Sequence, residues 1–325
     1  MNEQLLNRLR CPSTGQKLVP ILGISGLDGD GWLVSENGDC KYPLINGIPR
    51  FVSTDNYASN FGMQWNHFSK TQLDSYSGHS ISKNRFLNAT GWGSSDLKNK
   101  WVLDAGCGSG RFAEIALSLG ANVIALDYSS AVDACYANLK HYPNLHVLQG
   151  DIYALPFEPG SFDFIYSLGV LQHTPDVAGA LSSLPPLLRR DGKICVDIYW
   201  KRFRTIMHMN YLLRPITKRI PKGKLFNWLE AITPSMLKVS QLLGSTPCFG
   251  RFLKRLIPVA DYTGIYPLNP QQLREWALLD TFDMLGPEFD NPQTSNGLKH
   301  MLEIGGIAEI EIFQEGMLVG RGRKA

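Results

Sequence analysis

The residues best placed to do chemistry in this 325-residue chain cluster in the stretch WVLDAGCGSGRF, residues 101–112. An acid, Asp104, closes a short apolar run, and three glycines follow at alternate positions, Gly106, Gly108 and Gly110. Glycines let a backbone turn tightly and approach a ligand without Cβ atoms in the way, and the free N–H groups of a helix start favour anionic ligand groups. The chemistry implied is retention of a nucleotide-like ligand. Asp127 follows Gly106 by twenty-one residues, at the end of the next apolar run. A carboxylate there can accept hydrogen bonds from both hydroxyls of a ribose, or it can cap the next helix. Further on, GVLQHTPD carries His173. Its ordinary pKa suits proton removal near neutrality; the alternative is a loop-structuring histidine.

These residues need a scaffold that brings strand ends to one edge. Residues 101–103 read as a strand and 111–119 as a helix. The strand ANVIALD ends at Asp127, a helix covers 129–141, and the strand LHVLQGD ends at Asp151. The turn LPFEPGS leads to the strand FDFIYSL, a helix over 177–188 and the strand KICVDIYW, and the helix NGLKHMLEIGG precedes the closing strands AEIEIFQEG and LVGRGR. Repeated strand–helix units of this kind give an α/β, Rossmann-like doubly wound sheet whose ligands bind at the C-terminal strand edges.

The loop separates two cofactor classes. A dinucleotide fingerprint, GxGxxG, would place its third glycine where the chain has Arg111; the pattern here is GxGxG. VLDAGCGSGRF, Asp127, Asp151 followed by LPF after three residues, and FDFIYSLGVLQH occur in that order. Across about residues 100–200, with the C-terminal strands, the chain resembles the class I S-adenosylmethionine-dependent methyltransferases. The resemblance implies a seven-stranded sheet of that family's type and S-adenosyl-L-methionine as cofactor. It further implies that Asp151 takes the adenine amino group, that Ile152 covers the ring with Tyr128 on the other face, and that Asp104 helps to place the amino end of the methionine portion. Ser167, at the end of the fourth strand, joins the three loop glycines in the cofactor set. Methyl transfer needs an in-line approach to a sulfonium carbon, so alignment in a dry site supplies most of the acceleration, and a base is required only for a hydroxyl or a protonated amine.

Around this domain three further regions are expected. Residues 1–52 read as a separate small β-rich module. It resembles degenerate zinc-ribbon-like domains associated with methyltransferases, through Cys11, Cys40, Tyr42, Pro43, Gly47, Ile48 and Pro49. Thr14 stands where that pattern has a second cysteine, and two cysteines do not supply the four ligands of structural zinc, so no metal is expected. Residues 53–100 form linker or lid helices. Phe61, Trp65 and Phe68 fall at helical spacing, which reads first as core; the functional alternative folds this segment over the cofactor mouth with Gln64, Trp65 and Arg85 near the ligand. Residues 201–294 form a helical cap over the substrate edge, between the sheet-forming segments 101–200 and 295–325. Eight basic residues and no acid lie between Lys201 and Leu225. That run is either a solvated face or a surface for an anionic or membrane-displayed acceptor.

A net charge of +3 and 19% charged residues argue little about partners. Nucleic acid is disfavoured, since neither an aromatic strand platform nor a strongly basic domain is evident. The six cysteines form no CxxC pair, MNEQLLNRLR lacks an apolar signal core, and no apolar span is long enough to cross a bilayer. A cytoplasmic protein with free thiols is expected. The expected function is methylation of a small-molecule acceptor, with RNA or protein methylation, or a non-catalytic cofactor-fold binding protein, as alternatives.

Overall fold

The chain opens with a short helix, α1 (Glu3–Leu6), and a four-stranded antiparallel sheet of β1 (Leu18–Leu22), β2 (Gly31–Ser35), β3 (Lys41–Ile45) and β4 (Ile48–Pro49). The computed structural model describes residues 3–22, 29–53, 56–202, 209–246 and 249–325; the start of the glycine-rich middle of the first module, Phe203, Arg204 and Met207 of the basic run, and Cys248 lie outside them. The small sheet does not stand apart, as the sequence suggests. Leu5, Leu9, Cys11, Leu18 and Leu33 belong to one buried cluster with Leu103, Ile124, Leu148 and Phe157 of the main domain. The Phe51 N–H donates to the Gln149 carbonyl at 2.8 Å, continuing the main sheet's edge. A module too small to close its own core completes it on its neighbour. Ser13 Oγ lies 3.3 Å from the sulfurs of both Cys11 and Cys40. Among the described residues no three His, Cys, Asp or Glu side chains are grouped to hold a metal.

Linker helices α2 (Ser59–His67), α3 (Asp74–Ser77), α4 (Ile81–Thr90) and α5 (Ser94–Leu97) lead into the main sheet. Its strands are β5 (Trp101–Ala105), β6 (Asn122–Asp127), β7 (Leu145–Gln149), β8 (Phe162–Ser167), β9 (Leu188–Ile198), β10 (Ile307–Glu315) and β11 (Met317–Lys324). Their spatial order is β10-β11-β9-β8-β5-β6-β7; β5 to β9 pair in parallel, and β11 runs antiparallel to β9 and β10. This is the seven-stranded, Rossmann-like sheet expected from the sequence. Strands buried on both faces, as in the BBBBBB burial of Phe162–Ser167, need helices on both sides. Those helices are α6 (Arg111–Ser118), α7 (Ala131–Leu139) and α8 (Val177–Ser182).

Several boundaries differ from the sequence reading, among them the strand LHVLQGD, which ends at Gln149 and leaves Asp151 in the loop that follows. The helix expected over 177–188 ends at Ser182 and gives way to a 3-10 turn, Pro185–Leu187, because adjacent prolines supply no N–H donors to continue it. The fifth strand of the main sheet begins at Leu188, earlier than KICVDIYW suggests, and takes in a turn at Asp191 (φ 62°) with a register shift opposite Phe162 and Phe164.

The cap comprises α9 (Met209–Thr217), α10 (Lys222–Gly244), α11 (Gly250–Lys254) and α12 (Pro270–Leu285), and α13 (Ser295–Ile304) returns the chain to the sheet. It has its own buried centre of Leu225, Phe226, Leu229, Leu278, Leu279, Phe282 and Leu285, joined by Phe68 from the linker. Each such side chain contributes about 1.5–3 kcal/mol by leaving water. Asn269 fixes the start of α12 by accepting from the N–H groups of Gln271 and Gln272, while the Gln272 side chain accepts from Asn269 N–H. Both ends of the cap meet at one place, where Lys201 N–H donates to the Gln293 carbonyl and Gln293 N–H to the Tyr199 carbonyl.

Candidate cofactor and acceptor site

A cavity of about 1040 Å³ opens at the C-terminal edge of the sheet, between the glycine loop, α2, α4 and the cap. Gly106, Gly108, Asp127, Tyr128, Ile152, Trp65, Arg85 and His173 all line it. Gly106 and Gly108 have φ of 98° and 53°, and a Cβ on Gly106 would lie 2.4 Å from Val170. A Cβ on Gly108 would lie 3.2 Å from the Trp65 indole, so the lid aromatic rests directly on the loop. The loop's close approach therefore requires glycine at both positions.

Asp127 ends β6 at the cavity wall. Its carboxylate accepts from the Gly108 N–H at 2.9 Å, the Ser129 N–H at 2.8 Å and the Ser129 hydroxyl at 2.6 Å. It thus tethers the loop to the next helix start while keeping lone-pair capacity toward the cavity. Burial raises its pKa, and these donors pull it back. Tyr128 stands 4.9 Å from Tyr57, ring to ring, and both rings line the cavity.

Five residues expected at the ligand do not line the wall. Gly110 (φ 95°) packs behind the loop, where a Cβ would meet Leu139 at 2.6 Å. Ser167 is fully buried and donates to the Ala105 carbonyl at 2.7 Å, tying β8 to β5. The Asp151 carboxylate accepts from the Tyr153 N–H at 3.0 Å, and Gly150 and Ile152 form the wall at its sides. Asp104 is buried beneath the loop, and burial pushes its carboxyl up to about 8, partly offset by the neighbouring Tyr166 side chain and Ala113 backbone. Gln64 is fully buried and neither amide atom has a hydrogen-bond partner among the described residues. It misses the wall because neighbours on a helix point about 100° apart, so the face that carries Phe61 and Trp65 inward turns Gln64 aside. The two readings of this helix divide: Phe61 and Trp65 line the cavity, whereas Phe68 is cap core.

His173, nearly buried, faces the cavity between the Phe61 and Tyr199 rings, at 5.2 and 5.5 Å. Its Nδ1–H donates to the Phe289 carbonyl at 3.2 Å, and its Nε2 lies 3.6 Å from Asp283 Oδ2, which also accepts from the Tyr199 hydroxyl at 3.1 Å. Burial lowers the imidazole pKa, but the Asp283 carboxylate and the Phe289 carbonyl more than offset it, and the net shift is upward.

Toward the cap, Arg111 meets residues that the sequence did not single out. Arg111 donates to Gln72 Oε1 at 2.7 Å and Ser82 Oγ at 2.9 Å, and its guanidinium lies 5.3 Å over the Trp276 ring. Burial lowers its pKa to about 10. Trp276 groups with Tyr262 and Tyr266, with ring separations of 5.2 to 5.7 Å, and Tyr262 donates to Asp280. Arg85 pairs with the buried Asp197 at 2.7 Å. The one available signal was Arg111, a cation where the dinucleotide pattern has glycine, which had to find partners above the loop.

This sheet order, with the loop after the first strand, an acid closing the second and another just past the third, is the fold of the class I methyltransferases, and S-adenosylmethionine is the cofactor of that class. Residues 103–196 match the family described as "Methyltransferase domain". Among curated proteins, the chain is 26% identical over 156 residues to a ubiquinone biosynthesis O-methyltransferase of Neisseria meningitidis, covering 45% of this chain and 63% of that one. It is 35% identical over 109 residues to a demethylmenaquinone methyltransferase of Lactococcus lactis, covering 31% and 43%. The chain therefore spans less than two thirds of the length of these relatives. A solved structure, human N-acetylserotonin methyltransferase in complex with S-adenosylmethionine, superposes with a TM-score of 0.47 at 14% identity, covering 84% of this chain and 60% of that one.

The residues present fit this cofactor. Ser109 Oγ and Gln172 Oε1 line the cavity, each 1% exposed and without a hydrogen-bond partner among the described residues, so the wall offers polar groups that await a ligand. The glycine loop, Asp127, Tyr128 and Ile152 are grouped along the same wall.

Proposed function

We propose that the chain is an active S-adenosylmethionine-dependent methyltransferase whose acceptor is a small, largely apolar molecule carrying a ring hydroxyl. The observation that carries this reading is that one cavity joins the glycine-loop wall to an aromatic cap wall, with the His173–Asp283 pair between them. When bound, the cofactor supplies an electrophilic methyl group. Asp127, Tyr128 and Ile152 would hold its nucleoside side, and the glycine loop, with Asp104 beneath it, would meet its amino-acid end. Tyr57, Phe61, Tyr199, Tyr211 and Tyr266 offer ring faces and edges to an apolar acceptor. His173 keeps its Nδ1 proton on the Phe289 carbonyl, which leaves Nε2 to take the proton of an acceptor hydroxyl, and Asp283 stabilises the resulting imidazolium. The cap covers this space and excludes water. The names of the two curated relatives, both methyltransferases of quinone compounds, agree with an acceptor of this kind.

Incubation of the full chain with methyl-labelled S-adenosylmethionine and a panel of catechols and hydroquinols, with and without long apolar chains, tests the proposal. A labelled methyl ether is expected, favoured by the apolar members of the panel. Cofactor binding with no labelled product from any acceptor class would instead identify a non-catalytic binding protein.

A further inference from the structure

The outer face of the cap combines two properties that its own folding does not use. Residues 201–260 contain twelve Lys and Arg and one acid, Glu230, a net charge of +11 against +3 for the whole chain. Part of that charge is committed internally. Arg214 is buried and donates to the Met284 and Pro287 carbonyls at 2.9 and 3.0 Å, Lys222 donates to the Lys218 and Gly286 carbonyls, and Lys254 pairs with Asp261 at 2.7 Å. Lys218, Arg219, Lys224, Lys238 and Arg255 remain exposed, with no acidic partner among the described residues.

The same face exposes large apolar side chains. Leu212 and Ile216, one turn apart on α9, are 66% and 65% exposed, and Leu242 on α10 is 75% exposed. Trp228, Phe249 and Phe252 are each more than half exposed. The start of α9 lies against the residue that follows α11, where the Met209 N–H meets the Arg255 carbonyl at 3.4 Å, so the exposed apolar side chains sit on neighbouring elements. From the same helix Asn210 and Tyr211 reach the cavity, with the exposed Ile265 also on its lining. The helix that exposes Leu212 and Ile216 thus also lines the site.

We propose that this face of the cap docks on an anionic lipid surface, seating exposed Leu, Ile, Trp and Phe side chains at the headgroup boundary beneath a set of unpaired Lys and Arg. Stable peripheral binding needs two such signals together, apolar insertion and electrostatic attraction, and this face supplies both. Among the described residues no helix is long and apolar enough to cross a membrane, so the contact is peripheral. The exposed side chains at the α9 end are aliphatic, which favours lipid over single-stranded nucleic acid, whose bases need aromatic platforms. The proposal stands apart from the methyl-transfer reading, since docking requires no turnover.

Co-sedimentation of the full chain with phosphatidylcholine vesicles, with and without phosphatidylglycerol, tests it. Binding is expected to the phosphatidylglycerol vesicles, to weaken with salt, and to fall by at least roughly tenfold in Lys218→Glu/Arg219→Glu. A similar loss is expected separately in Leu212→Gln/Ile216→Gln, exposed positions outside the cavity, with calorimetric affinity for S-adenosylmethionine unchanged as the check on folding. No binding to anionic vesicles, binding insensitive to both pairs of substitutions, or tighter binding of single-stranded RNA by the same residues would overturn the proposal.

Discussion

His173 and Asp283 illustrate how a single residue's role depends on what reaches it from a distant part of the chain. His173 lies just past β8, in a segment whose position at the substrate edge is readable from the pattern of strands. Its partner comes from α12, over a hundred residues later, and nothing in the sequence links the two. The pairing sets the direction of the pH dependence. For proton removal the imidazole must start neutral, and the carboxylate raises its pKa above the ordinary 6.5, so the activity limb should rise with pH above that value. Asp283→Asn removes the largest raising influence and leaves burial, which lowers the pKa, opposed only by the Phe289 carbonyl and Asp290, so the limb should move to lower pH while kcat falls. His173→Gln should reduce kcat by on the order of 100-fold or more without weakening cofactor binding. Both are read from pH–rate profiles and calorimetry. A limb that does not move in Asp283→Asn would make His173 a structural residue of the loop.

At the scale of elements, the glycine loop was legible because its requirements are local. Gly106 must adopt φ 98° and leave room for Val170, and no other residue type does both without strain. Gly106→Ala is expected to destabilise the fold by on the order of 1–3 kcal/mol, seen in denaturant titration, and Val170→Ala in the same chain should recover part of the loss. An unchanged midpoint would show that the loop can rearrange freely. Strand ends were readable to within two residues: Asp127 closes β6 as expected, Asp104 is the penultimate residue of β5, and Asp151 lies two residues beyond the end of β7. Side-chain direction on the linker helices was not. Helical spacing grouped Phe61, Trp65 and Phe68, yet only packing against the cap decides that Phe68 turns away from the cavity. Helical spacing points Gln64 toward the ligand, whereas the glutamine that reaches the site is Gln72, which holds Arg111. The cap helices carry no motif, so Tyr262, Trp276 and Asp280 could enter the site only through the fold.

For the whole molecule, the structure unites parts that the sequence set out as neighbours. The small antiparallel sheet extends one edge of the main sheet, and the linker helices reach into both the cavity and the cap core. Arg111 joins the glycine loop to that cap, through Gln72 and the Trp276 ring. The central claim is that this assembly holds S-adenosylmethionine against the loop and Asp127. Calorimetric titration of the full chain with S-adenosylmethionine, its demethylated product and NAD tests it most directly. One site per chain is predicted for the first two ligands and none for NAD. In Asp127→Ala the dissociation constant should rise at least about tenfold, roughly 1.4 kcal/mol. Binding of NAD in place of S-adenosylmethionine, or an affinity unaltered by Asp127→Ala, would contradict the account.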